Sequence, residues 1–357
     1  MQTYLVTGAT GFVGFALATR LRQRGLAVRA LLRQPSDAGS AHRLRSTQLE
    51  ALGCELVHAS LGDPNALARH CQGIDVLYHC AGEGSHRADA RALSWINVAG
   101  TENVVNAAKH AGVRRVVHLS CADATLTGHD RLNLREDQAR AETPLDACSH
   151  SLMLAEEVAL QASRGSFEVT AVRPSWVWGP GDLHKLPRLC AEAARGRVSL
   201  CGSGDNLLST AYVENVVDVL LQVASSDRTP GRCYHVTDGE ALTAREFLGL
   251  LCTSVGLPAP RRGVYALSYA AAYARERLHL PGPARADVVL RGRASLFDVS
   301  AAIRDLAYRP HTSVEEGMRA LAEWARAQGG PDAIAKLART PAGPKDADAF
   351  EALARAH

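Results

Sequence analysis

Short apolar runs alternate with longer helical stretches along the first half of the chain. The runs are rich in Val and Leu, and the stretches between them are rich in Ala and Arg. The runs that we predict to be strands are residues 4–7, 27–32, 55–59, 75–80, 116–120 and 168–173. Strands that alternate with helices form a parallel sheet with helices on both faces. The pattern therefore predicts an α/β fold of the Rossmann type, with a doubly wound parallel sheet.

A glycine-rich turn follows the first predicted strand. Residues 8–14 read Gly-Ala-Thr-Gly-Phe-Val-Gly and lead into a helical pattern. Glycines at this spacing allow a tight turn, a close approach of backbone N–H groups to a pyrophosphate, and packing of the helix against the strand. The turn predicts a dinucleotide site, whose candidate residues are Gly8, Thr10, Gly11, Phe12, Val13 and Gly14.

The end of the second predicted strand bears on which dinucleotide is bound. It reads Ala30-Leu31-Leu32-Arg33, with no acid to hold a ribose 2′-hydroxyl. Arg33 suits a 2′-phosphate instead, which favours NADP(H) over NAD(H). NAD(H) stays an alternative, since Arg33 is also explained as a solvated surface charge.

The pattern divides the chain into three segments. Residues 1–178 form the predicted dinucleotide-binding domain. Residues 179–330 have scattered short strands and helices, and we expect a smaller C-terminal substrate-binding lobe over the carboxyl edge of the sheet, where open α/β folds bind ligands. Residues 331–357 are rich in Ala, Asp and Pro and predict a tail with at most one short helix.

Composition excludes several classes of protein. With 46% hydrophobic and 22% charged residues among 357, the chain is typical of a globular protein, and a net charge of +3 argues against a nucleic-acid partner. The longest uncharged apolar run, residues 263–274, is too short for a membrane span. Nine cysteines without a CxxC pair predict reduced thiols and no metal cluster. Together with the absence of a secretory signal, they predict a cytoplasmic location.

Seven segments, in this order, carry a family resemblance. They are TGATGFVG (7–14), DVLYHCAG (75–82), INVAGTENVVNAAKHAGVRRVVHLS (96–120), RPSWVWGPGD (173–182), NLLSTAYVENVVDV (206–219), GRCYHVTDGEALTAREFL (231–248) and DLAYRPHTSVEEGM (305–318). They resemble the extended short-chain dehydrogenase/reductase superfamily, and within it the 3β-hydroxysteroid dehydrogenase and dihydroflavonol reductase branch. The resemblance covers residues 1–328.

The resemblance implies further cofactor contacts. Residues matching Ala81 and Gly82 lie under the cofactor in the family, and the loop of Pro174 lies beside the nicotinamide. Ser60 and Leu61 match the place where the family often has an Asp-Leu pair, with the Asp reaching the adenine. Serine forms a weaker hydrogen bond there.

The catalytic positions depart from the family. Its members use a Ser or Thr to polarise the carbonyl, a Tyr to transfer the proton, and a Lys four residues after the Tyr. By resemblance, the Tyr position is Cys148, the Lys position is Leu152, and the Ser position is Cys121, with Ser120 next to it. None of the eight tyrosines has a lysine four residues later, so no shift of register restores the motif.

Three accounts of this departure are open. In the first, hydride transfer persists and another group supplies the proton: Cys148, His150, Asp123, Ser151, a water or the substrate itself. His150 can serve only if the helix begins after it, since it otherwise points away from Cys148. In the second, the chain binds nucleotide without redox turnover. In the third, Cys148 is a covalent nucleophile, although no activating base lies nearby in the sequence. An inert buried thiol is the plainer explanation of Cys148.

The second half of the chain bears on the substrate. Leu208 stands where relatives that act on nucleotide sugars carry an arginine, so the resemblance implies an apolar substrate. Trp176 and Trp178 are candidates for the pocket wall or for plain core. Tyr265, Tyr269 and Tyr273 recur every four residues; they form a helical stripe that lines an entrance, supplies a phenol or packs on the core. We treat His184 and Lys185 as surface residues.

These observations predict an NADP(H)-preferring reductase or dehydrogenase. Its substrate is a ketone or secondary alcohol of a hydrophobic small molecule, such as a steroid-like, aromatic or secondary-metabolite compound. An epimerase or isomerase that uses the dinucleotide is a further alternative. A homodimer stays open.

Overall fold

The structure is a computed structural model that describes residues 2–33, 40–138, 143–196, 198–338 and 341–355. Its strands are β1 (Thr3–Thr7), β2 (Ala27–Leu32), β3 (Glu55–His58), β4 (Val76–His79), β5 (Arg115–Leu119), β6 (Arg131–Leu134), β7 (Glu168–Pro174), β8 (Trp176–Trp178), β9 (Leu207–Tyr212), β10 (Cys233–Val236), β11 (Ala241–Thr243) and β12 (Ser295–Phe297). Seven of them form one parallel sheet in the order β10-β7-β5-β4-β1-β2-β3. The predicted doubly wound α/β fold is confirmed.

Helices follow most of the strands. They are α1 (Phe12–Gln23), α2 (Ser40–Ala51), α3 (Pro64–Cys71), α4 (Ala90–Leu93), α5 (Gly100–His110), α6 (Ala147–Gln161), α7 (Lys185–Ala193), α8 (Val213–Ser225), α9 (Ala244–Ser254), α10 (Tyr265–Arg277), α11 (Arg285–Gly292), α12 (Ser300–Leu306), α13 (Val314–Ala327), α14 (Pro331–Ala335) and α15 (Pro344–Arg355). A π-helix spans Ser94–Ala99, and a 3₁₀ turn spans Ala122–Thr125.

Both faces of the main sheet are buried. Successive residues of a strand point to opposite faces, so Leu5 of β1 and Val116 of β5 join one apolar cluster while Val6 and Val117 join the other. The continuous apolar runs in the sequence reflect this two-sided burial. The strand order reverses between β1 and β4. Open α/β folds bind ligands in the crevice at the carboxyl ends of strands at such a point.

A second sheet combines β6 with three strands from the C-terminal half. Its order is β11-β9-β12-β6, and β8 pairs with β9. The predicted division at residue 178 does not coincide with a break between the sheets, because β10 returns to the main sheet beside β7. The chain therefore crosses between its two parts more than once. No helix within the described ranges is long and apolar enough to cross a membrane.

The C-terminal segment is packed against the protein. Our prediction of a tail with at most one short helix is corrected here, because both α14 and α15 form and α15 contacts α4 and the π-helix. Ala347 and Phe350 of α15 are buried in a small apolar cluster with Ala92 and Ile96. The apolar spacing of α15 gives it a face that this cluster covers.

We expect Phe350→Ala to lower the free energy of unfolding by about 3 kcal/mol, because it removes a buried ring and leaves a cavity. Phe350 is buried, and its ring contacts the ring of Trp95. Denaturant unfolding measures the change. Lys345→Ala, at an exposed position of the same helix, is the control and should stay within about 0.5 kcal/mol of wild type. Equal stabilities for the two variants would contradict the packing of α15.

Candidate functional site

The glycine turn is shaped by close contacts between backbones. Gly8 has a φ of +66°, and a Cβ atom there would lie 2.7 Å from the Ala81 nitrogen. A Cβ atom on Gly14 would lie 2.4 Å from the Gly8 carbonyl oxygen. The turn is closed by a hydrogen bond from the Gly11 N–H to the Gly8 carbonyl, 2.8 Å long. Only glycine fits these positions, so the turn after β1 and the segment after β4 touch at the point where the strand order reverses.

The start of α1 suits a pyrophosphate. Gly11 is its N-cap and offers no side chain to the free N–H groups of the first turn. A helix N-terminus with free N–H groups attracts anions. Phe12 and Val13 are the first helical residues. Thr10 lies outside the helix, and its hydroxyl is 2.9 Å from Nδ1 of His42. The predicted loop residues therefore come together in a form that fits a dinucleotide.

Arg45 connects the glycine turn to the opposite loop. It is buried and donates hydrogen bonds to the carbonyl oxygens of Thr10, Gly11 and Gly181. Burial lowers the pKa of its guanidinium to about 10, against the favourable charge of Asp182. A pKa in that range leaves Arg45 cationic at neutral pH. It brings positive charge to the crevice, which the pattern analysis did not foresee.

The other predicted cofactor residues lie along the same sheet edge. Arg33 follows β2 and is exposed. Ser60 follows β3, and its hydroxyl accepts a hydrogen bond from the Gly62 N–H. The Leu61 carbonyl accepts a hydrogen bond from Asn103. Gly82 follows Ala81 beyond β4, and Pro174 ends β7. All of them lie at the carboxyl ends of parallel strands of the main sheet.

The two residues that we predicted near the carbonyl-polarising position form hydrogen bonds within the protein. The Ser120 hydroxyl is buried and donates a 2.7 Å hydrogen bond to Glu156 Oε2, so it points into a charged pair with Arg173. Cys121 Sγ accepts a hydrogen bond from the Asp123 N–H at 3.4 Å. Burial raises the pKa of the Cys121 thiol to about 12. Cys121 is therefore a neutral thiol.

The other two catalytic candidates, Cys148 and His150, lie in the first turn of α6 and differ in exposure. Asp146 is the N-cap of α6 and accepts a hydrogen bond from the Ser149 N–H. The helix therefore begins before His150, and the condition for a catalytic role of His150 is not met: its side chain is exposed. Cys148 is 1% exposed and faces inward, and Leu152, on the same helical face, is half-buried. Burial raises the pKa of the Cys148 thiol, which is consequently neutral too.

A buried ionisable cluster surrounds Cys148. His86 Nδ1 lies 2.9 Å from Asp146 Oδ2, and His86 Nε2 lies 3.5 Å from Asp123 Oδ2. Lys185 Nζ lies 3.9 Å from the same Asp123 oxygen. The His86 side chain is only 5% exposed. We call His86, Asp123, Asp146 and Lys185 the His86 cluster. It lies at the carboxyl ends of β4 and β5, the edge that also carries the glycine turn.

The residues of the His86 cluster shift one another's pKa values toward the charged forms. Burial alone would lower the pKa of His86, but Cys148, Asp123 and Asp146 together outweigh burial and raise that pKa well above 6.5. Burial also opposes ionisation of Asp123, and Lys185 and His86 outweigh it and lower the Asp123 pKa. The cluster therefore holds a buried imidazolium between two carboxylates.

Sequence reasoning missed the central residue of this cluster. It named Asp123 as a candidate, took Lys185 for a surface residue and passed over His86 and Asp146. Asp146 carries a readable signal, since an Asp before an Ala-rich stretch is a strong N-cap, and this cap places the start of α6 before His150. Nothing in the spacing around His86 points to its partner, which is 60 residues away.

The aromatic residues of the second half have different roles. Trp178 is buried, and its Nε1–H donates a 2.8 Å hydrogen bond to Asp238, so it belongs to the core. Trp176 is half-buried and lies under Lys185, whose Nζ is 4.8 Å from the ring centroid. Tyr269 and Trp176 both pack against a small apolar cluster that contains Leu126. Trp176 is therefore the aromatic neighbour of Lys185 in the His86 cluster.

The sequence is similar to those of known dinucleotide-dependent enzymes. The model of the NAD dependent epimerase/dehydratase family matches residues 4–236. A 2-alkyl-3-oxoalkanoate reductase of Shewanella oneidensis is 30% identical over 336 residues, covering 88% of this chain and 84% of its own. A 4-hydroxy-2-methyl-3-oxo-4-farnesyl-3,4-dihydroquinoline-1-oxide ketoreductase of Stigmatella aurantiaca is 32% identical over 330 residues, covering 90% and 96%.

Solved structures share the fold across nearly the whole chain. MoeE5 in complex with UDP-glucose and NAD superposes with a TM-score of 0.69 at 26% identity, covering 92% of this chain and 100% of its own. DesIV, a dTDP-glucose 4,6-dehydratase of Streptomyces venezuelae with NAD bound, has a TM-score of 0.72 at 25% identity, covering 91% and 97%. Both similar structures hold NAD.

Proposed function

Because the chain belongs to the NAD dependent epimerase/dehydratase family, we propose that it is a dinucleotide-dependent reductase. It interconverts a ketone and a secondary alcohol on a hydrophobic small molecule. The bound nicotinamide supplies or accepts the hydride. The turn from Gly8 to Gly14 holds the pyrophosphate, and Pro174 lies beside the nicotinamide. Free cysteines at all nine positions fit a reducing compartment such as the cytoplasm.

The observation that carries this proposal is the His86 cluster at the edge of the sheet that bears the glycine turn. A protein that only binds nucleotide has no need to bury an imidazolium and two carboxylates, which is costly unless the charges are paired. A reductase needs a proton donor near a substrate oxygen. The cluster therefore favours turnover over the alternative of a nucleotide-binding protein without redox activity.

The substrate class follows from the lining of the site. Leu208 is buried and apolar at the position where nucleotide-sugar enzymes of this superfamily carry an arginine. Trp176 adds aromatic surface under Lys185 of the His86 cluster, and Tyr269 packs on the same small apolar cluster as Trp176. The similar ketoreductases are named for oxo compounds with alkyl or farnesyl chains. We therefore expect a 3-oxo compound with a long apolar substituent rather than a nucleotide sugar.

The direct test measures NADPH oxidation with a 2-alkyl-3-oxoalkanoate and with a 3-oxosteroid. Turnover of either ketone, with none of UDP-glucose, is the expected result. NADPH binding without oxidation by any ketone would favour the nucleotide-binding alternative. Conversion of UDP-glucose would favour the epimerase alternative.

Arg33 is expected to decide between NADPH and NADH. We expect Arg33→Ser to weaken NADPH binding by about 10- to 100-fold, the worth of one charge-assisted contact to a 2′-phosphate, and to leave NADH binding unchanged. Calorimetric titration of each dinucleotide measures both constants. Arg69→Ser, at an exposed arginine of α3, is the matched control. An unchanged preference in Arg33→Ser would remove the argument for NADP(H).

A further inference from the structure

We propose that His86 is the acid that protonates the substrate oxygen, in place of the tyrosine that this superfamily uses. The inference rests on the proposed reductase function. It assigns a catalytic role to a residue in the loop between β4 and α4, where the superfamily's proton-transfer motif has no member.

The ring of His86 is held in one orientation. Its Nδ1 lies 2.9 Å from the carboxylate of Asp146. Asp146 is itself fixed as the N-cap of α6, through the hydrogen bond from the Ser149 N–H at 2.9 Å. A carboxylate on one ring nitrogen orients an imidazole and leaves the other nitrogen to exchange the proton. The arrangement leaves Nε2 as the reactive end.

Nε2 of His86 has a proton to give. It is buried and makes no hydrogen bond of good geometry within the described part of the chain. The Asp123 carboxylate lies 3.5 Å from Nε2. A buried N–H group without a proper partner is costly in a protein. A substrate oxygen bound there would supply the missing acceptor.

The ring of His86 lies beside Cys148, which matches the position of the family's tyrosine. Cys148 occupies the tyrosine position, and its thiol lies within reach of the His86 ring. Cysteine is much shorter than tyrosine, so the substitution leaves room at the start of α6. His86 enters this room from the loop after β4. Cys121, at the position of the polarising serine, also lies close to Cys148. His86 therefore lies next to the two neutral cysteines, and we assign the transferable proton to its imidazolium and not to either thiol.

Reduction of the ketone needs one hydride and one proton. During reduction, the carbonyl carbon takes a hydride from the reduced dinucleotide, and the π electrons of the C=O bond move onto oxygen. The Nε2–H bond of His86 breaks as the O–H bond of the alcohol forms. The neutral ring remains bound to Asp146 through Nδ1–H. Water then returns a proton to Nε2, and Lys185, a third exposed, marks the side of the cluster that solvent reaches.

The groups that face His86 set its pH dependence. Asp123 comes from the 3₁₀ turn, Asp146 and Cys148 come from α6, and Lys185 at the start of α7 faces Asp123. Arg131 of β6 adds positive charge near Asp123. Glu83 precedes His86 in the same loop, and its carboxylate accepts hydrogen bonds from the N–H groups of Ser85 and Ala342. The two carboxylates in contact with the ring, together with Cys148, favour its protonated form. Ketone reduction should decline as pH rises through the pKa of His86.

The test compares His86→Gln, Asp146→Asn and the control His110→Gln, which changes an exposed histidine of α5. We expect His86→Gln to lower kcat for ketone reduction by about 100-fold or more, as for other general acids, with the Kd for NADPH within about threefold of wild type. His110→Gln should match wild type in both. In Asp146→Asn, the loss of a carboxylate should move the alkaline decline of kcat to lower pH. The NMR titration midpoint of the His86 ring should move with it.

The outcomes separate the two proposals. Ketone reduction that survives His86→Gln overturns the role of His86 and leaves the reductase function standing. Wild type that binds NADPH and reduces no ketone overturns both. If His86→Gln fails to fold, Asp146→Asn decides: a pH profile and a His86 titration that both stay unchanged overturn the assignment.

Discussion

Gly8→Ala should abolish measurable dinucleotide binding, with a loss of affinity of about 100-fold or more, equivalent to about 3 kcal/mol. Gly8 has a φ of +66°, which an alanine adopts only with strain, and the new Cβ would lie 2.7 Å from the Ala81 backbone nitrogen. The turn after β1 or the segment after β4 has to move. Either movement misdirects the N–H groups at the start of α1. Calorimetric titration with NADPH and NADH measures the loss.

Gly25→Ala is the matched control for this substitution. Gly25 has a similar φ of +74°, but nothing lies within 4 Å of its added Cβ. It should lose about 1 kcal/mol of stability through backbone strain and bind both dinucleotides like wild type. If Gly8→Ala bound NADPH within about threefold of wild type, the glycine turn would not be the pyrophosphate site.

Glu156→Gln should lower the free energy of unfolding by about 3 kcal/mol or more, because it removes the carboxylate that pairs with the buried charge of Arg173. Glu156 is 1% exposed and Arg173 is 2% exposed, and the pair lies between α6 and β7. Glu156 also accepts the hydrogen bond of the Ser120 hydroxyl. Denaturant unfolding at neutral pH measures the cost.

The neighbouring Glu157 provides the control. Glu157 accepts a hydrogen bond from Gln161 on the exposed side of α6, so Glu157→Gln should change stability by less than about 0.5 kcal/mol. A similar small cost in Glu156→Gln would show that the buried pair contributes little.

The Glu156–Arg173 pair should make the stability of the fold sensitive to acid. Burial opposes ionisation of Glu156, but Arg173 and Ser120 outweigh it and lower its pKa below 4.5. A carboxylate with a lowered pKa contributes its full stability above its unfolded-state pKa and loses it as pH falls through the folded-state pKa. Wild type should therefore lose stability below about pH 4.5. Glu156→Gln should lack this component of the loss.

Local patterns were sufficient to predict the glycine turn. The turn from Gly8 to Gly14 lies between a strand and a helix that are adjacent in sequence, so its residues report directly on its shape. The alternation of apolar runs and helices likewise predicted the parallel sheet, because strands buried on both faces have to be apolar throughout. The sequence also shows that no tyrosine has a lysine four residues later, and the resemblance predicts Cys148 and Leu152 at these two positions.

Local sequence patterns could not predict the contacts between loops that are distant in the sequence. His86, Asp123 and Asp146 follow three different elements, and they meet because the strand order brings the ends of β4 and β5 together and α6 packs beside them. Ser120 is a suitable polarising residue by type, yet its hydroxyl is taken by Glu156, 36 residues away. Likewise, α15 is a short amphipathic segment whose partners lie on α4 and the π-helix. The sequence by itself determined the sheet, the glycine turn and the missing Tyr-Lys pair, since each depends on neighbouring residues. Only the tertiary structure decided where the buried charges find their partners, because the cost of an unpaired charge is set by whatever the folded chain brings beside it.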